Sequence, residues 1–170
     1  MREKTKKLCY VALAAAVLCV LSPWAIYLMA IPITFSFLAI LLISWIFEPK
    51  IAFCATLLYV AIGAVGVPVF AGFVGGFQVL AGPTGGFIIS YPIISLICSK
   101  FGTSTPKKLV FGVLSAILSY LIGFGWLSFT TETSFLATFA TLSYIFIIFD
   151  LLKIFAAAFL SREIKKRLKS

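Results

Sequence analysis

Gly63-Ala-Val-Gly-Val-Pro-Val-Phe-Ala-Gly-Phe-Val-Gly-Gly-Phe-Gln-Val-Leu-Ala-Gly-Pro-Thr-Gly-Gly86 is a 24-residue stretch holding eight of the chain's 12 glycines and two of its seven prolines. It lies inside residues 51–99, which carry no charged side chain. A continuous membrane helix does not tolerate this density, because glycine costs backbone entropy and proline removes a hydrogen bond. The surroundings are nevertheless too apolar for a water-filled linker. Irregular backbone at membrane depth must satisfy its N–H and C=O groups against protein, since lipid cannot. Two readings stand side by side: a flexible external loop, or a folded lid or re-entrant loop in which glycine lets backbone approach a ligand closely.

Working outward from that stretch, a chain that is 62% hydrophobic is an integral membrane protein, and 170 residues allow one compact bundle, a single domain over 1–170. A span needs about 20 apolar residues. Six helices are expected: roughly Leu8–Ala30, Ile33–Phe47, Ile51–Gly66, Phe87–Ser99, Leu109–Trp126 and Phe135–Leu160, with the glycine-rich loop joining the third and fourth. The second and fourth are short and lie next to Pro32, Pro83 and Pro92, which points to tilted or broken helices.

Charge orients the bundle. Arg2, Lys4, Lys6 and Lys7 precede the first span, Lys50 follows the second, Lys100, Lys107 and Lys108 follow the fourth, and Arg162, Lys165, Lys166, Arg167 and Lys169 follow the sixth. These all fall on one side. The opposite connections carry no Lys or Arg and only Glu132. The positive-inside rule then makes both termini cytoplasmic and turns the glycine-rich loop outward; a multi-pass protein of the cell (inner) membrane is expected. The net charge of +9 is a topology signal with some affinity for anionic lipid, and nucleic acid is excluded because no soluble domain carries a basic face. The apolar run from Leu8 to Ala30 is 23 residues, longer than the roughly 7–15 of a secretory core, so it is read as the first helix.

What is missing narrows the chemistry. There is no histidine, and Cys9, Cys19, Cys54 and Cys98 form no C-x-x-C pair, so they read as packing residues and no metal or other cofactor is expected. No catalytic triad or paired-carboxylate site can be assembled, which argues against an enzyme. A phosphate-binding G-x-x-x-x-G-K-[ST] is absent, so the chain does not itself hydrolyse ATP through such a loop.

Asp150-Leu-Leu-Lys153 interrupts the sixth apolar segment. A charge near the bilayer centre costs on the order of 2.5–3.5 kcal/mol on insertion scales, so a chain with five acids has a reason for one here. The i, i+3 spacing places both groups on one helix face. They are either a structural ion pair between helices or the polar heart of a binding site, and a buried pair contributes little net stability beside an apolar replacement.

Gly66-Val-Pro-Val-Phe-Ala-Gly72, Gly75-Gly76, Gly82-Pro-Thr-Gly-Gly-Phe87 and Asp150-Leu-Leu-Lys153 together resemble the signatures of the BioY family, the biotin-binding S components of energy-coupling-factor transporters. The similarity covers nearly the whole chain. It implies six helices, an outward-facing biotin pocket beneath the loops, and partnership with a transmembrane T component and two cytosolic ATPase subunits. It further implies that Asp150 and Lys153 line the vitamin site and that Ala12 and Ala16, an A-x-x-x-A pair, dock on the T component; small residues four apart are also a general helix-packing device. Pro32-Ile-Thr-Phe-Ser-Phe37 resembles the family's approach to the second helix but has Thr34 and Leu38 where proline and glutamine are usual, and Phe149 replaces a small residue.

Biotin offers two ureido N–H donors, a carbonyl acceptor, a thioether with an apolar edge, and a carboxylate. Asp150 could accept from the N–H groups, Lys153 could donate to the carbonyl or carboxylate, and Phe35, Tyr59, Phe73 and Tyr91 are candidates to cover the ring, although such aromatics also serve as packing or interfacial anchors. Gln78 and Thr84 are the polar side chains expected from the loop, whose Gly75, Gly76, Gly82, Gly85 and Gly86 are expected to bring backbone to the ligand. The sequence therefore reads as an all-α membrane S subunit for biotin. Its rivals are a solitary BioY-like facilitator without ATPase partners and a structural membrane protein without a ligand.

Overall fold

The computed structural model describes residues 3–26 and 32–169. Its order is α1 (Glu3–Leu21), β1 (Ala25–Ile26), β2 (Ile33–Thr34), α2 (Ser36–Ile46), α3 (Pro49–Ala64), α4 (Phe77–Ala81), α5 (Gly85–Phe101), α6 (Thr105–Thr131) and α7 (Phe135–Lys169). Two segments, Thr105–Thr131 and Ser143–Arg167, are long and apolar enough to cross a membrane, and α2, α3 and α5 are shorter apolar helices. At 1.5 Å per residue the 11 residues of α2 reach only about 16 Å, roughly half of a hydrocarbon core.

Several expected boundaries move, each for a local reason. The first helix stops at Leu21 rather than continuing toward Ala30, because Pro23 disfavours helical geometry at Ser22 and the chain turns into β1. Arg2 and residues 27–31 lie outside the described residues. The second helix starts at Ser36 rather than Ile33, since Ile33 and Thr34 are occupied in antiparallel pairing with Ile26 and Ala25. The glycine-rich stretch is also more than a loop: α4 lies inside it, and Gly85 and Gly86 are the first residues of α5.

α2 is the centre of the bundle. Eight of its 11 residues are buried, from Ser36 to Trp45, as expected of a helix that is apolar all round. It packs on α7, α5, α1 and α3, while α6 packs on α5 and α7 and α1 packs on α3. The largest enclosed side chains, among them Trp45, Tyr59, Phe70 and Phe124, fill the space between these layers.

The basic segments gather at one end. Lys7 Nζ lies 3.7 Å from Glu48 at the α2–α3 turn, and Lys108 Nζ at the start of α6 donates to Ser161 Oγ near the end of α7 at 2.7 Å. The opposite end holds the hairpin and the glycine-rich stretch. There Gly72 N–H donates to Pro23 O at 2.8 Å, Gly76 N–H to Gly63 O at 2.7 Å and Phe70 N–H to Val74 O at 2.9 Å. The irregular backbone thus finds its partners within protein, which is what an apolar setting demands.

Candidate functional site

A cavity of about 240 Å³ opens beneath the hairpin and the glycine-rich stretch. Six helices, α2 to α7 with α4 contributing Val79, supply its walls together with the hairpin and the glycine-rich stretch, which forms a strap across the top. Pro32, Thr34, Ser36 and Phe37 come from the hairpin and α2, Tyr59 from α3, Phe70 from the strap, Thr84 from the lead-in to α5, and Phe87 and Tyr91 from α5. Ser119 and Tyr120 come from α6, and Phe146, Asp150 and Lys153 from α7.

Its polar centre is a three-residue network. Lys153 Nζ donates to Asp150 Oδ1 at 2.8 Å, and Tyr120 O–H donates to Asp150 Oδ2 at 2.6 Å. The side chains of Asp150 and Lys153 are 9% and 12% exposed, so neither charge is dissipated by solvent. Asp150 is therefore bonded once on each oxygen, and a carboxylate oxygen has a second lone pair to offer. Lys153 lines the cavity and spends one of three N–H donors on Asp150, and among the described residues no other side chain or backbone group accepts from it. Among the described residues it is the one cationic side chain in the lining. Ser119 Oγ, also in the wall, shares a hydrogen bond of 3.2 Å with buried Ser90.

Around this centre the wall is aromatic. Phe87 and Phe146 stack at 15° with centroids 6.4 Å apart, and Phe124 meets both edge-on at 5.3 and 6.1 Å. Tyr59 meets Phe70 edge-on at 5.6 Å and its hydroxyl donates to Val69 O at 3.3 Å, which ties the strap to α3. Fixed rings beside a compact set of donors and acceptors suit a small ligand with an apolar body and a polar head.

Of the expected site residues, Asp150, Lys153, Tyr59, Tyr91 and Thr84 are brought together here. Phe35, Phe73 and Gln78 are not. Phe35 is exposed, with its N–H committed to Trp24 O. Phe73 adopts φ 59°, a left-handed geometry that directs its ring outward onto Trp24, edge-on at 5.6 Å. Gln78 is exposed and donates to Gly75 O at 3.1 Å, a local bond at the start of α4.

None of Gly75, Gly76, Gly82, Gly85 and Gly86 lines the cavity. A Cβ at Gly75 would collide with Val67 O, at Gly85 with Leu80 O, and at Gly86 with Trp126 and Ile122 O. At Gly82 it would come within 3.0 Å of Gln78 O, while Gly76 combines φ 105° with contact to the Gln78 side chain. These glycines permit close packing of the strap and of α5 against α6.

Thr34, one of the departures at the approach to α2, places a hydroxyl in the cavity wall, whereas Leu38 and Phe149 pack against the core. Ala12 and Ala16 are exposed on the face of α1 opposite Ala14, Ala15 and Leu18, which are buried. Among the described residues no group of three His, Cys, Asp or Glu side chains gathers to hold a metal ion.

Sequence reasoning missed Tyr120, together with Ser36, Phe70, Phe87, Ser119 and Phe146 of the wall. A tyrosine in an apolar helix carries no signal of its own, but Ser115, Ser119 and Tyr120 form a polar run on α6 that a search for buried polar faces finds.

Comparison with known proteins gives a consistent result. The BioY family profile matches residues 1–170. The chain is 35% identical over 133 residues to the biotin transporter BioY2 of Lactococcus lactis subsp. cremoris, covering 76% of this chain and 73% of that one. It is 34% identical over 155 residues to the biotin transporter BioY of Thermotoga maritima, covering 88% and 90%. The crystal structure of an S-component for biotin from an ECF-type ABC transporter superposes with a TM-score of 0.85 at 23% identity, over 98% of this chain and 95% of that one, and so shares its fold.

Proposed function

The chain belongs to the BioY family, and from that premise we propose that it is a membrane S subunit that captures biotin outside the cell and delivers it inward, transporting its ligand without transforming it. The observation that carries this reading is the cavity itself, where a carboxylate, an ammonium with unspent donors and a tyrosine hydroxyl meet within an aromatic wall. Biotin's ureido group presents N–H donors and a carbonyl side by side, so it needs an acceptor and a donor at close quarters. Asp150 supplies the first and Lys153 the second. The thioether ring is apolar and is covered by Phe87, Phe146, Tyr59 and Tyr91, with Thr84 at the margin.

In this reading α1, α2, α3, α5, α6 and α7 are six membrane passes, the basic end is cytoplasmic with both termini, and the hairpin and glycine-rich strap face outward. The exposed face of α1 around Ala12 and Ala16 docks on a T component that is driven by two cytosolic ATPases. Biotin uptake by a bacterium lacking its own transporter tests the arrangement. With the T component and ATPases co-expressed, cells should accumulate biotin and lose that ability when the ATPases are inactivated. Ala16→Leu should lower uptake and co-purification while biotin binding by the isolated subunit persists. Uptake that proceeds undiminished without the module would mark a solitary facilitator, and loss of binding in Ala16→Leu would undo the docking assignment.

A further inference from the structure

We infer that Tyr120 is a positioning residue for the ligand site: by holding Asp150 Oδ2 it keeps the carboxylate turned so that Lys153 retains donors for the ligand. This rests on the reading of the cavity as a biotin site.

Asp150 and Lys153 stand one turn apart on α7, a spacing at which a flexible ammonium can reach both oxygens of the carboxylate. Such a chelate would spend two of the three ammonium donors internally, and an apolar surrounding would favour it. The structure shows a different arrangement. Only Oδ1 meets Lys153, at 2.8 Å, while Oδ2 is engaged from the neighbouring helix by Tyr120 O–H at 2.6 Å.

Tyr120 is well placed to impose this. It is 5% exposed, and its ring is fixed between Phe124 at 5.7 Å and Phe146 at 6.5 Å, so its hydroxyl cannot follow a rotating carboxylate. The bond joins α6 to α7 across 30 positions of sequence, so it sets Asp150 relative to another helix as well as to Lys153. Without it, nothing among the described residues other than Lys153 bonds to the Asp150 side chain, and the pair can close on itself.

The test is biotin binding to purified protein, with the melting temperature of the ligand-free protein measured alongside. Parental binding is the control: if the parent fails to bind biotin, the functional reading is at fault and not the role of Tyr120. Given parental binding, Tyr120→Phe, which keeps the ring and removes the donor, should weaken affinity on the order of 10-fold, as loss of a bond to a charged group does. The same change made in Lys153→Met should weaken it no further, because no ammonium remains to be captured. Unchanged affinity in the single variant overturns the inference. So does an equal loss in both backgrounds, which would make Tyr120 a direct ligand contact or a packing residue. If Lys153→Met binds too weakly to measure, the ammonium itself decides: Tyr120→Phe should slow acylation of Lys153 in the ligand-free protein, as capture of its donors by Asp150 requires, and an unchanged rate overturns the inference. If Tyr120→Phe does not fold, Tyr120→Met takes its place, and failure of both to fold would make the residue a structural post and overturn the inference.

Discussion

The glycine-rich stretch and the Asp150–Lys153 turn of α7 are the two places where this chain departs furthest from an ordinary membrane helix, and they depart in opposite senses. The first gives up side chains so that backbone can pack on backbone: Gly75 on Val67, Gly85 on Leu80, Gly86 on Ile122. The second keeps long polar side chains where they are costly and bonds them to each other and to Tyr120. One builds the enclosure and the other places polar groups in its wall. A glycine in a membrane protein thus reports a shape requirement, whereas a buried charge reports an interaction requirement.

That contrast can be broken by exchanging the consequences. Asp150→Ala should produce the largest structural effect, because it leaves the Lys153 ammonium and the Tyr120 hydroxyl without their acceptor. A loss of roughly 3–5 kcal/mol is expected from stranding one member of a buried pair. A melting temperature within error of the parent would show that Lys153 escapes to water and that the turn is not enclosed.

Gly86→Ala comes next. Its new methyl group would press on Trp126 and the Ile122 carbonyl, forcing α5 from α6 at a cost of about 1–3 kcal/mol. Thermal unfolding measures it, and an unperturbed or raised melting temperature would remove the packing account of that glycine.

The smallest effect separates two polar residues of the strap. In a background without the four native cysteines, Thr84→Cys should be shielded from a membrane-impermeant thiol reagent by biotin, since Thr84 borders the cavity. Gln78→Cys should label equally with and without biotin, since Gln78 is exposed and bonded locally. Protection at both positions would extend the site onto the outer surface of α4.

Much of this was legible in the sequence, unevenly and for physical reasons. Apolar segments, prolines and one-sided charge located the helices, but counting apolar residues carried the first helix past Ser22-Pro23, where a proline rule would have ended it. Pairing of Ala25–Ile26 with Ile33–Thr34 is a contact between short segments that no periodicity announces. In the site, Asp150 and Lys153 stood out because charge in an apolar helix is expensive. Gln78 stood out for the same polarity and lies elsewhere, because at the edge of the bundle a polar side chain can satisfy itself locally. Phe73 could not have been placed without its left-handed backbone. Tyr120 is the converse case: its importance comes entirely from a partner on another helix.

The central claim is that the α7 pair binds the ligand and does not merely brace the bundle. Biotin binding by purified parent and by the double variant Asp150→Asn with Lys153→Met, with other water-soluble vitamins as controls, addresses it directly. Both charges leave together, so the fold should survive, as replacement of a buried pair by neutral groups is often tolerated. The account predicts a parent selective for biotin and a folded double variant that fails to bind it. A well-folded double variant with parental biotin affinity would contradict it.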